Sequence, residues 1–176
     1  MKKILEGVRP GDVILAAILT GLGVWIMLEN ILAVDPDIRI DSQSLLMLPV
    51  FAVATVAIVW RRRSMPAVLA VTAAALAVHD VAFGWVVRCG AGLPLAFALA
   101  YACGRLMQPG RSRVLGLLAT FGIQVLVLAF DSAAGLGVLP FTVAIGAAFW
   151  GGGVAVAARS KAAHEQAQPE PVSATL

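Results

Sequence analysis

Polar side chains with the means to exchange protons or bind ions interrupt otherwise apolar stretches of this sequence at Glu29, His79, Asp80 and Gln124, and Asp131 follows directly on another such stretch. An ionised carboxylate in mid-bilayer costs about 2.5–3.5 kcal/mol on insertion scales, so groups of this kind turn inward and find partners. Two chemistries fit the set. The side chains either hydrogen-bond between helices and fix their packing, or line an outward-facing polar pocket that senses a small ligand, pH or ions. One intramembrane His with scattered carboxylates lacks the ligand number and spacing of a zinc site, and the second, His164, falls in the C-terminal tail. No metal or cofactor is expected. Cys89 and Cys103 would stand about 20 Å apart along one helix, too far for a disulfide within the chain. With no glycine-rich phosphate loop followed by Lys and no defensible Ser-His-Asp arrangement, catalysis is not expected either.

The elements that must position these residues follow from composition. Of 176 residues, 60% are hydrophobic and 13% charged, against about a quarter charged in soluble domains, and the mean hydropathy is +0.92. The natural solvent is a lipid bilayer, whose hydrocarbon core of about 30 Å takes about 20 helical residues to cross. Six apolar segments can be read: 13–33, 44–60, 66–87, 93–107, 114–130 and 136–158. The expected fold is therefore all-α, a polytopic bundle of six transmembrane helices. The fourth is short, with about a dozen uninterrupted apolar residues before Arg105, so it either crosses where the bilayer thins or Arg105 snorkels, or it re-enters without crossing. Residues 1–159 form one transmembrane domain, and the polar, proline-containing stretch 160–176 reads as a disordered cytoplasmic tail.

Lys and Arg divide unevenly between alternate connections. Eleven of the thirteen fall on one side, including Lys2, Lys3, Arg9, Arg61, Arg62, Arg63, Arg111 and Arg113, whereas Arg39 and Arg88 fall on the other. The positive-inside rule makes the first side cytoplasmic. Both termini are then cytoplasmic, in a multi-pass protein of the inner (plasma) membrane. The clusters orient helices, so nucleic acid is not an expected partner despite a net charge of +3. Arg61, Arg62 and Arg63 read as a cytoplasmic basic anchor, with Trp60 beside them and Trp85 at the other face as interfacial rings. In this orientation His79, Asp80 and Gln124 share a depth in the outer half, Glu29 lies further out and Asp131 at the rim. Small residues four apart, as in Ala100/Gly104, Gly116/Thr120, Ala147/Gly151 and Ala148/Gly152, would allow close helix packing.

The stretch Val59-Trp60-Arg61-Arg62-Arg63-Ser64-Met65-Pro66, leading into the Ala/Val/Leu run 67–81, resembles the membrane-embedded N-terminal module of actinobacterial two-component sensor histidine kinases. So do Leu93-Pro94-Leu95, the helix closing on Ala102-Cys103-Gly104-Arg105, and the basic turn at 111–113 before another Ala/Leu helix. The resemblance covers residues 45–159 and implies a non-catalytic sensor or dimerising anchor for signal transduction. Its partner would be a second copy or a separate signalling protein. The sequence after Arg159 has neither a phosphoacceptor helix nor an ATP-binding domain, so no kinase activity is expected of it. His79-Asp80-Val81 matches a phosphoacceptor start only superficially, because it lies within a membrane-spanning run. The polar residues at matched depth keep a second reading open, a small transporter or permease-like subunit.

Reporter fusions after Arg63, Arg113 and Arg159 should behave as cytoplasmic, and fusions within 34–43 or beside Cys89 as external. A cytoplasmic readout at Cys89 would remove the fourth crossing.

Overall fold

The computed structural model describes residues 7–34 and 37–166. Apolar runs punctuated by Gly, Pro and Ser become six α-helices: α1 (Pro10–Leu32), α2 (Met47–Val56), α3 (Met65–Phe83), α4 (Cys89–Leu106), α5 (Arg111–Ala129) and α6 (Leu139–Gln166). A 3-10 segment, Ala57–Trp60, prolongs α2, and another, Leu136–Val138, leads into α6. Five of the helices are long and apolar enough to cross a membrane. The protein is thus a multi-pass, all-α membrane protein.

On either side of the α3–α4 connection the boundaries depart by four residues each from those read in the sequence. The third segment ends at Phe83 instead of Val87, because Gly84 takes φ +63° and breaks the helix. The fourth starts at Cys89 instead of Leu93 and reaches 18 residues, with Pro94 inside the helix. It is the shortest of the five long helices, but α2 is shorter still, 10 residues plus the 4 of its 3-10 extension. Helix α6 continues to Gln166, so the first residues of the expected disordered tail are helical, whereas 167–176 lie outside the described residues.

Helix α4 is central and packs against α1, α5 and α6. Its contact with α6 is backbone on backbone: a Cβ at Gly104 would meet the carbonyl of Trp150, and a Cβ at Gly153 that of Tyr101. On its other side, Gly92 receives Val127 of α5, and Gly116 of α5 receives Cys103 and Met107. The first three helices combine close packing with hydroxyl bonds. Gly23 of α1 lies against the Phe51 ring, Thr20 and Thr55 hydroxyls are 2.9 Å apart, and Thr72 donates to the Ala54 carbonyl at 3.1 Å. Such bonds join helices where lipid offers no hydrophobic drive for association. The core holds Met27, Met47, Phe51, Ile58, Leu76, Leu95, Leu99 and Ile123, whereas Ile14, Ile18, Trp25, Leu32, Val81 and Phe141 are exposed to the surroundings. Cys103 is buried, Cys89 half-buried, and both are free thiols.

The small-residue pattern is used in part. Gly104 and Gly116 make close approaches, but Gly151 and Gly152 have open space where a Cβ would stand, and it is Gly153 that meets α4. Gly104→Ala should therefore lower thermal stability in detergent, by about 1–3 kcal/mol as overpacking does. Gly152→Ala should be neutral or raise stability by up to about 1 kcal/mol through helix propensity. Equal effects at the two positions would contradict the α4–α6 contact.

Candidate functional site

The connection between α3 and α4 carries a fully buried arginine. Gly84 turns the chain so that residues 85–88 run across the end of the bundle, and a Cβ at Gly84 would stand 2.6 Å from Asp41 Oδ2. Arg88 then points inward at 0% exposure. Its Nε donates to His79 Nδ1 at 3.0 Å, Nη1 to the Phe130 carbonyl at 2.7 Å and Nη2 to the Gly84 carbonyl at 2.5 Å. Asp80 Oδ1 stands 3.2 Å from Nε as the ionic partner. Burial draws the proton affinity of Arg88 below its usual value, and Asp80 and Asp131 oppose that shift. A guanidinium remains charged in proteins, so the site holds a cation. Because Nδ1 of His79 accepts, the ring is a neutral imidazole with its proton on Nε2. The edges of Phe51 and Phe83 flank that ring.

Asp131, after α5, completes the cluster. Its Oδ2 accepts the backbone N–H groups of Arg88 and Cys89, both at 2.6 Å, and caps α4 from a distant segment. Its Oδ1 accepts those of Ala133 and Ala134 at 3.0 and 2.8 Å. A carboxylate at a helix N-terminus is also favoured by the helix dipole. Beside it, Val86 N–H donates to the Phe130 carbonyl and Ser132 N–H to the Val86 carbonyl, both at 3.3 Å, a short parallel β-bridge between two connections.

The same end draws in α1 and the connection that follows it. Asn30, 2% exposed, pairs with the backbone of Val87 in both directions: Oδ1 accepts at 3.0 Å and Nδ2 donates at 2.9 Å. Asp41 accepts from Arg39 at 2.7 and 3.0 Å and from the Trp85 N–H at 3.1 Å. Its own N–H donates to the Trp85 carbonyl at 2.8 Å. The Arg39 and Trp85 bonds hold the Asp41 carboxyl below its ordinary value of 3.8. Whatever this clasp contributes to stability is present above that value and is lost as pH falls through the lower folded one. The Arg39 guanidinium lies 5.6 Å from the Trp85 ring centroid, and the Ser132 hydroxyl donates to the Arg39 carbonyl. Trp85 is thus a structural partner as well as a ring near the membrane edge.

At the opposite end of α1 stands a second charge cluster. Asp12, 0% exposed, receives Arg61 on Oδ1, at 2.6 Å from Nη2, and Arg62 on Oδ2 at 2.8 Å. Its Oδ2 also accepts the Arg9 N–H at 3.1 Å. Two members of the basic anchor therefore clamp α1 to the end of α2, and Arg63 lies on the neighbouring surface.

Of the residues singled out in the sequence, His79, Asp80 and Asp131 come together on Arg88. Gln124 is also fully buried, on α5, with Gly146 of α6 opposite its amide, but both its polar atoms and His79 Nε2 lack hydrogen-bond partners among the described residues. Glu29 stands apart. It is exposed and accepts a 2.5 Å bond from the Trp25 indole N–H. Two further polar residues of these clusters carry a weaker sequence signal: Asn30 interrupts the first apolar segment as a neutral side chain, and Asp12 immediately precedes that segment, while Arg88 reads from the sequence only as one of the two basic residues on the less basic side. Among the described residues no group of three His, Cys, Asp or Glu side chains is placed to hold a metal ion.

Comparison with protein-family models, with curated proteins and with solved structures finds no match to this chain. The geometry of the cluster is therefore the guide to its role. The backbone N–H, Nε and both terminal nitrogens of Arg88 are engaged, and each oxygen of Asp131 accepts two bonds. Such an arrangement fixes charge in place and locks three connections to one another.

Arg88→Gln should destabilise the protein by about 3–5 kcal/mol, because it leaves Asp80 buried without its cation. Adding Asp80→Asn should restore part of that loss, so that the double variant melts above Arg88→Gln alone. Additive losses in the double-mutant cycle would show that the two side chains do not interact.

Proposed function

We propose that this chain is a non-catalytic sensory and anchoring module of the plasma membrane, with both termini in the cytoplasm and a second copy or a separate signalling protein as its partner. Helix α6 is the observation that carries this reading. It runs for 28 residues, about 42 Å at 1.5 Å per residue, which exceeds the hydrocarbon thickness of about 30 Å. Its start lies a few residues after Asp131 and Ser132, both tied into the locked connections. A disturbance of those connections on the outer face has a continuous helical path to the other side. The likeness to sensor-kinase membrane modules, whose last helix leads into a cytoplasmic domain, supports the same reading.

A transporter is the second reading. The unpartnered, fully buried amide of Gln124 and the free Nε2 of His79 favour it, since buried polar atoms of this kind suit a hydrated path.

The two readings separate experimentally. With spin labels at Ser112→Cys and Ala162→Cys in a Cys89→Ser/Cys103→Ala background, loosening the outer lock by Asp131→Asn should shift the distance distribution at the far end of α6. An unchanged distribution would refute the coupling. Proteoliposomes should pass protons, Na+ and K+ no faster than protein-free vesicles, and faster flux would establish the transporter instead.

A further inference from the structure

On α1, Asp12 and Asn30 turn into the protein, whereas Glu29 faces away from it. Its sole partner among the described residues is the Trp25 indole N–H, one turn earlier in the helix. Residues 35–36 and 167–176 contain no Lys or Arg, and Lys2 and Lys3 precede the far end of α1, about 28 Å along the axis from Glu29. The depth of this carboxylate follows from that far end. The clamp of Asp12 with Arg61 and Arg62 belongs outside the hydrocarbon, where guanidinium groups are costly to hold. Glu29 lies about 26 Å further along the helix, short of the hydrocarbon thickness of about 30 Å. The bond to Trp25 draws its carboxyl back toward the membrane centre instead of out to the headgroups. Any tilt of α1 would place it deeper still.

The surface around Glu29 has the form of a helix-docking face. Ile14, Ile18, Gly21, Trp25 and Leu32 are exposed on one stripe of α1 about 27 Å long. Nothing lies within 4 Å of where a Cβ at Gly21 would stand. A hollow of about 390 Å³ runs from there past Trp25 to Leu32, lined by α1 alone. Glycine at such a place lets a second backbone approach closely.

We propose that this face of α1 docks a transmembrane helix of another protein, one that carries Lys or Arg at the depth of Glu29. A carboxyl group held in hydrocarbon needs its partner there. A lipid ammonium stands further out, in the headgroup layer. A second copy docked by the same face would set Glu29 against Glu29, and its arginines at that end, Arg39 and Arg88, already pair with Asp41 and Asp80. A helix-borne cation answers the carboxylate, and the stripe nearly spans the hydrocarbon, as a crossing helix requires. The inference stands apart from the sensory reading, since the face is the same whether or not the chain signals.

The test uses the full chain in phosphatidylcholine vesicles, with a donor fluorophore at Val34→Cys in the Cys89→Ser/Cys103→Ala background. The acceptor is carried by a synthetic Leu/Ala transmembrane helix with Lys one turn inside each end, so that either insertion orientation presents one, or with Leu at both positions. Energy transfer should show the Lys helix binding about three- to tenfold more tightly, the range of polar contacts between membrane helices. Glu29→Gln should abolish the preference and Glu29→Asp retain part of it. Gly21→Leu, which fills the hollow without altering charge, should weaken binding of both helices. Both positions face away from the bundle, so melting temperatures should not change. Equal binding of the two helices, or a preference that survives in Glu29→Gln, would overturn the proposal. So would a preference removed by phosphatidylethanolamine in the vesicles, which would assign Glu29 to a lipid amine. Energy transfer between labelled copies of the chain, lost in Glu29→Gln, would overturn it in favour of a second copy.

Discussion

A guanidinium withdrawn from water must have its charge balanced and its N–H groups answered, and this requirement at Arg88 organises one end of the protein. Asp80 supplies the charge, while His79, Gly84 and Phe130 supply acceptors. Each of these partners constrains a different element. Gly84 must end α3 and free its carbonyl, the last turn of α3 must aim His79 and Asp80 inward, and α5 must stop where the Phe130 carbonyl meets Nη1. Asp131 then binds the backbone on which Arg88 stands. The bundle end is thus specified by polar chemistry, where lipid-facing apolar surface would leave helix order loosely determined.

The apolar pattern made the helical class and the approximate positions of all six helices legible, because hydropathy is a local property of the chain. The start of α4 was not legible, since its cap comes from Asp131, 42 residues beyond Cys89. The adjacent pair Glu29–Asn30 shows the same limitation at the level of a single side chain. Glu is the costlier residue in hydrocarbon and draws attention, yet it faces outward beside Trp25, and its neutral neighbour makes the long-range contact with Val87. Rotation about the helix axis decided which of them faced the bundle, and α1 is apolar on too many sides for its sequence to fix that rotation. The basic triplet was legible as a cluster at a membrane edge. Its division between Asp12 and the neighbouring surface was not, because Asp12 stands about fifty residues away and within a helix.

Helix α1 is held differently along its length. Asp12 fixes one end to Arg61 and Arg62, Asn30 fixes the other to Val87, and between them Thr20 and Gly23 meet α2. The end contacts are directional and the middle relies on close packing. Movement of α1 along its own axis would break both polar ends at once, whereas small rearrangements of the apolar side chains between them cost little in comparison.

The separation of Arg88 from Asp131 along the chain also bears on biogenesis. A ribosome adding about 5–20 residues per second takes about 2–9 s to make the 43 residues that separate them. Throughout that interval the nascent chain carries the α3–α4 connection without the carboxylate that caps α4. Helices α1 to α4 are therefore a provisional assembly whose Arg88 end can close only when the α5–α6 connection arrives there. A chain arrested before that point presents unanswered polar backbone at the membrane edge, the kind of feature by which quality-control machinery can distinguish an unfinished membrane protein from a finished one.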